Sequence, residues 1–447
     1  MASRGDHLVR ADRRFATGMG LLGRLTAPLF ARVVDQLDRR LLTGGIEATL
    51  PNGARRRVGF HAPGPVAVVE IRNWRALVRL VTSGSVGWYK AWTRGEWASP
   101  DPVPLFELFT ANALSLRDTA RAKGPVRWIN ALAHRLRDND PRQARENIAA
   151  HYDLGNDFYA AWLDEGMTYS SARFLPPPAR AGGEEPRSGE GEGLSEEQQA
   201  LPQPLPLRRE GSLEAAQHRK ITTLLDRLDL TPGDRLLEIG CGWGTLAIEA
   251  AKRGASVVGL TLSTEQKAWA DARIAAAGLA DRIDIRLQDY RDVDERFDAI
   301  ASVEMVEAVG TRYWPAYVDC LARNLKPGGK AALQFISIDH RLFDRYAAGA
   351  DFIQAYIFPG GMLIDEPRFE ALAKERGLRW ADRDGFGLDY AETLRIWRNR
   401  YDAAVARGRL AGFDDAFHNL WRYYLMYCEG GFRGGSIDVA QVTLSRS

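Results

Sequence analysis

From Thr231 onward, short apolar runs alternate with stretches in which apolar residues recur every three or four positions. Arg235–Ile239, Ser256–Leu260, Ile283–Leu287, Phe297–Val303 and Lys330–Ile338 read as buried strands. Leu246–Lys252, Glu265–Ala277 and Tyr313–Asn324 read as the helices between them. This rhythm predicts an α/β fold, a doubly wound and mostly parallel sheet whose ligand site lies beyond the carboxyl ends of the strands.

The earlier part of the chain has a different pattern. Leu21, Leu22, Leu25, Leu29, Val33, Leu37 and Leu41 recur at helical spacing with Arg24, Arg32, Arg39 and Arg40 between them. They predict a basic amphipathic helix, disturbed near Pro28, that either lies on a membrane or packs on its own domain. A β-rich stretch from Gly44 to Val69 and a region rich in tryptophan (Trp74, Trp88, Trp92, Trp97) follow, which predicts a separate, smaller α+β unit ahead of the doubly wound sheet. Residues 176–212 hold seven Pro, six Gly and seven Glu with no aromatic or β-branched residue. That composition buries too little apolar surface to offset its ordering entropy and predicts a flexible insertion.

Composition narrows the function. With 447 residues, 45% of them hydrophobic and 26% charged, the chain is neither a collagen nor a disordered polymer, and two folded units are expected. No run approaches the ~18 apolar residues of a spanning helix, and the polar start, MASRGDHLVRADRR, has no secretory apolar core. Cys241, Cys320 and Cys428 are too few and too scattered for a disulfide framework or a four-thiolate zinc site, so a reducing compartment is expected. The net charge of +2 conceals a division: residues 1–150 hold 24 Lys and Arg against 13 Asp and Glu, and the remainder holds 36 against 45. A basic first third suits an anionic surface of phospholipid or nucleic acid, or is a solvated arginine-rich face.

Candidate chemistry gathers at the strand ends. Gly240, Gly242 and Gly244 alternate in the turn after the first strand, where a chain free of Cβ atoms approaches a ligand closely. The spacing is G-x-G-x-G and the second strand ends in Thr261-Leu262-Ser263 with no ribose-binding acid, so S-adenosylmethionine fits better than a dinucleotide. Asp289 and Tyr290 close the third strand, where a carboxylate accepts from an adenine amino group and a ring packs on the base. Glu304 and Glu307, three apart at the fourth strand end, make one catalytic candidate between them.

These residues carry a family resemblance. With Ile148-Ala-Ala-His151-Tyr152-Asp153, Met167-Thr-Tyr169-Ser170, Glu307-Ala-Val-Gly310, Tyr356-Ile-Phe-Pro-Gly-Gly361 and Phe432-Arg433 to Val439, the chain from about Ala144 resembles the cyclopropane-fatty-acyl-phospholipid and mycolic acid cyclopropane synthases. The resemblance implies a Rossmann-like class I methyltransferase fold using S-adenosyl-L-methionine, with a catalytic domain over 144–447 behind a basic, lipid-facing domain over 1–143. It places Tyr169 and Ser170 over the sulfonium, Gly240, Gly242 and Gly244 at the amino-acid end, Thr261, Leu262 and Gln266 at the ribose, and Asp289 and Tyr290 at the adenine. Phe335, Phe343, Tyr346, Phe352, Tyr356 and Phe358 are expected to line an acyl channel.

In that family a bound bicarbonate serves as base, held by a Cys, a Glu, a His, a backbone group and a Tyr. Glu307, Tyr390 and the backbone at Ile336 match that set. The Cys position is Ser171, the His after the glutamate is Ala308, and the bicarbonate histidine position on the fifth strand is Gln334; Ser171 and Gln334 still offer hydrogen-bond donors to the anion. The expected activity is transfer of a carbon to the cis double bond of an unsaturated phospholipid, giving a cyclopropane, with a methyl-branched or methylene chain as the alternative. The expected setting is the cytoplasmic face of the inner membrane, with a homodimer compatible with the family. A nucleic-acid methyltransferase lacks its Asn/Asp-Pro-Pro-Tyr signature at Ser302 to Met305, and a non-catalytic lipid binder would have no need of Tyr169, Gln266 and Glu307.

Overall fold

The computed structural model describes residues 4–9, 27–116, 154–175 and 211–447. The start of the amphipathic helix, the 143/144 boundary, the motif from Ile148 to Asp153 and nearly all of the insertion at 176–212 lie outside the described residues.

The first unit is a four-stranded sheet of β1 (Gly45–Thr49), β2 (Arg55–Gly59), β3 (Val66–Ile71) and β4 (Trp97–Ala98), in the order β2-β1-β3-β4. The helix Ala27–Arg40 packs on it. Pro28 stands in its first turn, where the missing N–H is no loss. Leu37 and Leu41 are buried, so this part of the predicted amphipathic face is turned into its own domain. The tryptophans form core: Trp88 and Trp97 stack at 4.4 Å, and the Trp97 indole donates to the Trp88 carbonyl.

The second unit is a seven-stranded sheet of β5 (Arg235–Ile239), β6 (Ser256–Thr261), β7 (Ile283–Leu287), β8 (Phe297–Val303), β9 (Leu325–Ile338), β10 (Leu378–Gly385) and β11 (Ile437–Arg446). Its order is β10-β11-β9-β8-β5-β6-β7; β5 to β9 pair in parallel, and β11 is antiparallel to both its neighbours. The chain reverses direction beside β5, whose neighbours β6 and β8 lead to opposite sides of the sheet. That is the switch point at which a ligand is expected.

The two units share one core. The helix Asp415–Arg433 packs along Val103–Ala111, and Gly430 permits the approach, since a Cβ there would stand 2.5 Å from the Phe106 Cβ. Tyr89 and Phe106 from the first unit meet Phe352, Tyr356 and Tyr423 from the second at ring-centroid distances of 4.8–5.2 Å.

Candidate active site

A cavity of about 660 Å³ opens at the carboxyl ends of β5, β6, β7 and β8, within the size range of ligand pockets. At one end Gly240 (φ 83°) and Gly242 (φ 52°) turn the chain in left-handed conformations; a Cβ on Gly240 would lie 2.8 Å from Met305 Cγ. Gly244, expected beside the ligand, does not line the cavity. It begins the helix Thr245–Lys252, and a Cβ there would press on Ala270 at 3.1 Å, so it serves the packing of that neighbouring helix.

Glu238, near the end of β5, accepts from the Ala247 N–H, and its Oε2 is buried with no partner among the described residues. Burial pushes its pKa up to about 8. A lone buried carboxylate oxygen on the cavity wall suits the ammonium of an amino-acid ligand. Thr261, Leu262 and Gln266 follow along the wall, with Thr261 Oγ1 donating to Gln266 Oε1 at 2.8 Å. Asp289 is buried and takes the Arg291 guanidinium through both oxygens, at 2.8 and 2.7 Å, while the Tyr290 ring forms the wall beside it.

Beyond this end the cavity passes Tyr169, Ser170, Glu304, Glu307 and Tyr390. Glu304 closes β8 with φ at 48°, a conformation that costs a residue with a Cβ on the order of 1 kcal/mol. Its Oε1 accepts from the Ser171 N–H at 2.9 Å and from Gln334 Nε2 at 2.7 Å, and its Oε2 accepts from the Tyr390 hydroxyl at 2.8 Å. Ser171 and Gln334 therefore act on Glu304 and are not themselves cavity wall. Glu307 Oε1 accepts from the Ile336 N–H; its Oε2 is buried with no partner among the described residues. Burial, then the charge of Glu304, pushes the Glu307 pKa up to about 8.

Burial also raises the Glu304 pKa, but its three donors and the Lys220 charge oppose that rise. We assign the negative charge to Glu304 and the proton to Glu307. Tyr390 is held well above the ordinary tyrosine value, by burial first and then by the Glu304 charge, so its hydroxyl keeps its proton and donates it.

Lys220 drew no attention in the sequence. Its ammonium donates to Ser170 Oγ at 2.7 Å, and burial pulls its pKa down to about 8 against the attraction of Glu304, Asp164 and Glu238. A signal existed: with Gln217 it interrupts the apolar face formed by Leu213, Ala216, Ile221, Leu224 and Leu225 on the helix Leu213–Asp226.

The remainder of the wall is mostly apolar and comes from both units, with Leu80, Phe106 and Leu116 from the first and Ile338, Leu342 and Met362 from the second; Arg345, Asp351 and Gln354 interrupt it. Tyr346 and Phe358 line it as expected, whereas Phe335, Phe343, Phe352 and Tyr356 do not. Strand alternation turns Ile336 to the cavity and Phe335 to Trp380 on the other face, at 5.7 Å. Phe343 packs on Trp314, and Phe352 and Tyr356 belong to the aromatic core around Tyr89.

The donors around the position assigned to bicarbonate are occupied: the Ser171 N–H, Gln334 Nε2 and the Tyr390 hydroxyl serve Glu304, the Ser171 hydroxyl serves the Ala172 carbonyl, and the Ile336 N–H serves Glu307. Ala308 offers only a methyl where the family has a histidine after its glutamate. A second anion set against these carboxylates does not fit. Among the described residues there is no cluster suited to a metal ion and no helix long and apolar enough to cross a membrane.

A parallel-rich sheet with this glycine turn, an unpaired Glu238 oxygen and polar residues at the next two strand ends defines a class I S-adenosylmethionine-dependent methyltransferase. The sequence profile of the family described as mycolic acid cyclopropane synthetase matches residues 139–442, and the chain belongs to that family of lipid-modifying enzymes. It is 41% identical over 375 residues to the tuberculostearic acid methyltransferase UfaA1 of Mycobacterium tuberculosis, covering 82% of this chain and 80% of that one. It is 31% identical over 395 residues to the cyclopropane-fatty-acyl-phospholipid synthase of Escherichia coli, covering 88% and 91%. Among solved structures, the mycolic acid cyclopropane synthase CmaA1 complexed with SAH and CTAB matches with a TM-score of 0.56 at 28% identity, over 68% of this chain and 98% of that one.

Proposed function

We propose that the enzyme methylates a carbon of the cis double bond in an unsaturated fatty acyl chain of a phospholipid, and that the product is a methyl-branched or methylene chain. The observation that carries the reading is the single cavity joining the Glu238 end to a long apolar wall, with Glu304, Glu307 and Tyr390 between them. S-adenosylmethionine supplies an electrophilic methyl group at this junction. Tyr169 and Ser170 help enclose it, and the apolar wall aligns the double bond and keeps water from the cation that forms on the chain. The open-chain product is supported by the likeness to UfaA1 and by the replacement of the family's Cys and bicarbonate His by Ser171 and Gln334. Ring closure is the second reading, favoured by the likeness to the Escherichia coli synthase.

Purified enzyme, methyl-labelled cofactor and vesicles of oleoyl or vaccenoyl phospholipid, read by mass spectrometry and NMR, test this. Label in a branched methyl or a branching methylene (=CH2) carbon is expected. Label in a cyclopropane ring selects the second reading, and unlabelled lipid overturns both.

We further propose that the basic N-terminal unit rests on the lipid surface. Arg55, Arg56 and Arg57 are exposed on the edge strand β2, and Leu42 and Val68 are exposed at 54% and 49%. At about 1 kcal/mol per arginine, replacing all three by glutamine is expected to weaken binding to anionic vesicles by about 100-fold. Wild-type binding is expected to fall as salt rises. Equal binding to neutral vesicles in a sedimentation assay would remove the electrostatic part.

A further inference from the structure

We infer that Glu304 is the resident base of this enzyme, a carboxylate of the chain standing where the family resemblance implied a bound anion. The inference rests on the proposed methylation of a double bond.

Two of the groups that the resemblance assigned to a separate ion, the Gln334 and Tyr390 side chains, converge with the Ser171 N–H on one side chain, while the Ser171 hydroxyl at the Cys position donates to the Ala172 carbonyl. The Ser171 N–H, Gln334 Nε2 and the Tyr390 hydroxyl reach the Glu304 carboxylate at 2.7–2.9 Å, and the fourth, the Ile336 N–H, binds its neighbour Glu307. The left-handed backbone at φ 48° turns the end of β8 so that the carboxylate sits among those donors while the residue lines the cavity. Strain at one wall residue, carried by a side chain rather than a glycine, is the kind of cost retained at a functional site. Fixed donors keep the carboxylate ionised and oriented. Glu307 alongside takes the proton that two adjacent buried carboxylates cannot both lose.

The atoms balance without a further reagent. The π pair of the double bond forms the carbon–carbon bond to the transferred methyl as the carbon–sulfur bond breaks and leaves its pair on sulfur. The cation left on the chain then loses a proton to Glu304, directly for a methyl-branched alkene or a ring and after a 1,2-hydride shift onto the cationic carbon for a methylene group, and the freed C–H pair becomes the new π bond or the closing side of the ring. Protonated Glu304 is reset when the proton passes to solvent after product leaves. Lys220, which faces both Glu304 and Ser170, favours the ionised form at the start of the next cycle.

The test compares wild type with Glu304→Gly in buffers freed of carbon dioxide and in buffers with added bicarbonate. Glycine adopts this backbone without strain, which keeps the fold, and binding of S-adenosylhomocysteine by calorimetry confirms that the cofactor end is intact. Wild-type turnover is expected to be the same with and without bicarbonate. Glu304→Gly is expected to lose at least about 100-fold in carbon-dioxide-free buffer, the usual scale for a lost general base. Partial recovery of the variant with added bicarbonate would show a small anion taking the vacated donors, an effect that mere loss of structure does not produce. Wild-type turnover that depends on bicarbonate, or a Glu304→Gly variant that keeps its rate without it, overturns the inference. Either result leaves methylation of the lipid standing, whereas a wild type that labels no lipid overturns the proposed function itself.

Discussion

Affinity for S-adenosylmethionine is expected to rise as pH is raised from about 6 to about 8, and Glu238→Gln is expected to remove both the rise and roughly 100-fold of affinity at pH 8. Glu238 has one oxygen bound to the Ala247 N–H and the other buried without a partner among the described residues, and burial lifts its pKa from 4.5 to about 8. The free enzyme below pH 8 therefore carries this carboxyl protonated. Binding an ammonium requires the carboxylate, so each pH unit below 8 costs up to about tenfold in affinity. Above about 8 the rise stops, because the α-amine of the ligand begins to lose its own proton. Lys220, also near pH 8, sheds its charge in the same range and removes a repulsion, so it does not reverse the trend. Calorimetry at pH 7 in buffers of different ionisation enthalpy should show about one proton released on binding by wild type and none by Glu238→Gln; an affinity flat with pH would refute the assignment. The sign for stability is opposite. A carboxyl with a raised folded-state pKa stabilises the fold below the unfolded value, and that contribution is lost as pH rises from 4.5 through 8. The ligand-free enzyme should become less stable over that window, through Glu238 and Glu307 together.

The parallel sheet was legible because its strands are short, apolar and bounded by turn residues. β5, β7 and β8 begin and end where the pattern placed them. β9 starts at Leu325 rather than Lys330, since Pro327, Gly328 and Gly329, which read as a turn, are taken up where its register against β8 shifts. The polar edge strand β10, LRWADRDG, has no alternation to betray it; its pairing comes from β11 more than 50 residues later. The glycine turn and the strand-end residues of the cofactor site were visible because each is local. Which of Glu304 and Glu307 is held by donors was not, since it depends on one backbone angle and on Ser171, Gln334 and Tyr390 arriving from three distant segments. Four of the six acyl-channel rings, Phe335, Phe343, Phe352 and Tyr356, failed for a related reason. Aromatic residues cluster in cores as readily as in channels, and only the side of the strand or helix they occupy separates the two.

Tyr423 is where the joining of the two units can be measured. Its ring is fully buried and lies 4.8–5.2 Å from those of Tyr89, Trp92 and Phe106 in the first unit and Phe352 in the second. Tyr423→Ala would leave a cavity at the centre of this contact and is expected to cost about 3–5 kcal/mol. The hydroxyl is buried without a hydrogen-bond partner among the described residues, so it contributes a desolvation cost with nothing to offset it. Tyr423→Phe is therefore expected to be neutral or to stabilise by about 1 kcal/mol, opposite in sign to the alanine variant although both remove the same oxygen. Because the core is continuous from Val69 through Tyr89 and Phe106 to Tyr423 and Trp421, urea denaturation of wild type should give one transition, coincident by tryptophan fluorescence and far-UV circular dichroism. Tyr423→Ala should shift that transition as a whole. Two separate transitions in wild type, or an alanine variant within about 1 kcal/mol of it, would mean that the units fold independently and that the aromatic contact is a docking surface rather than a core.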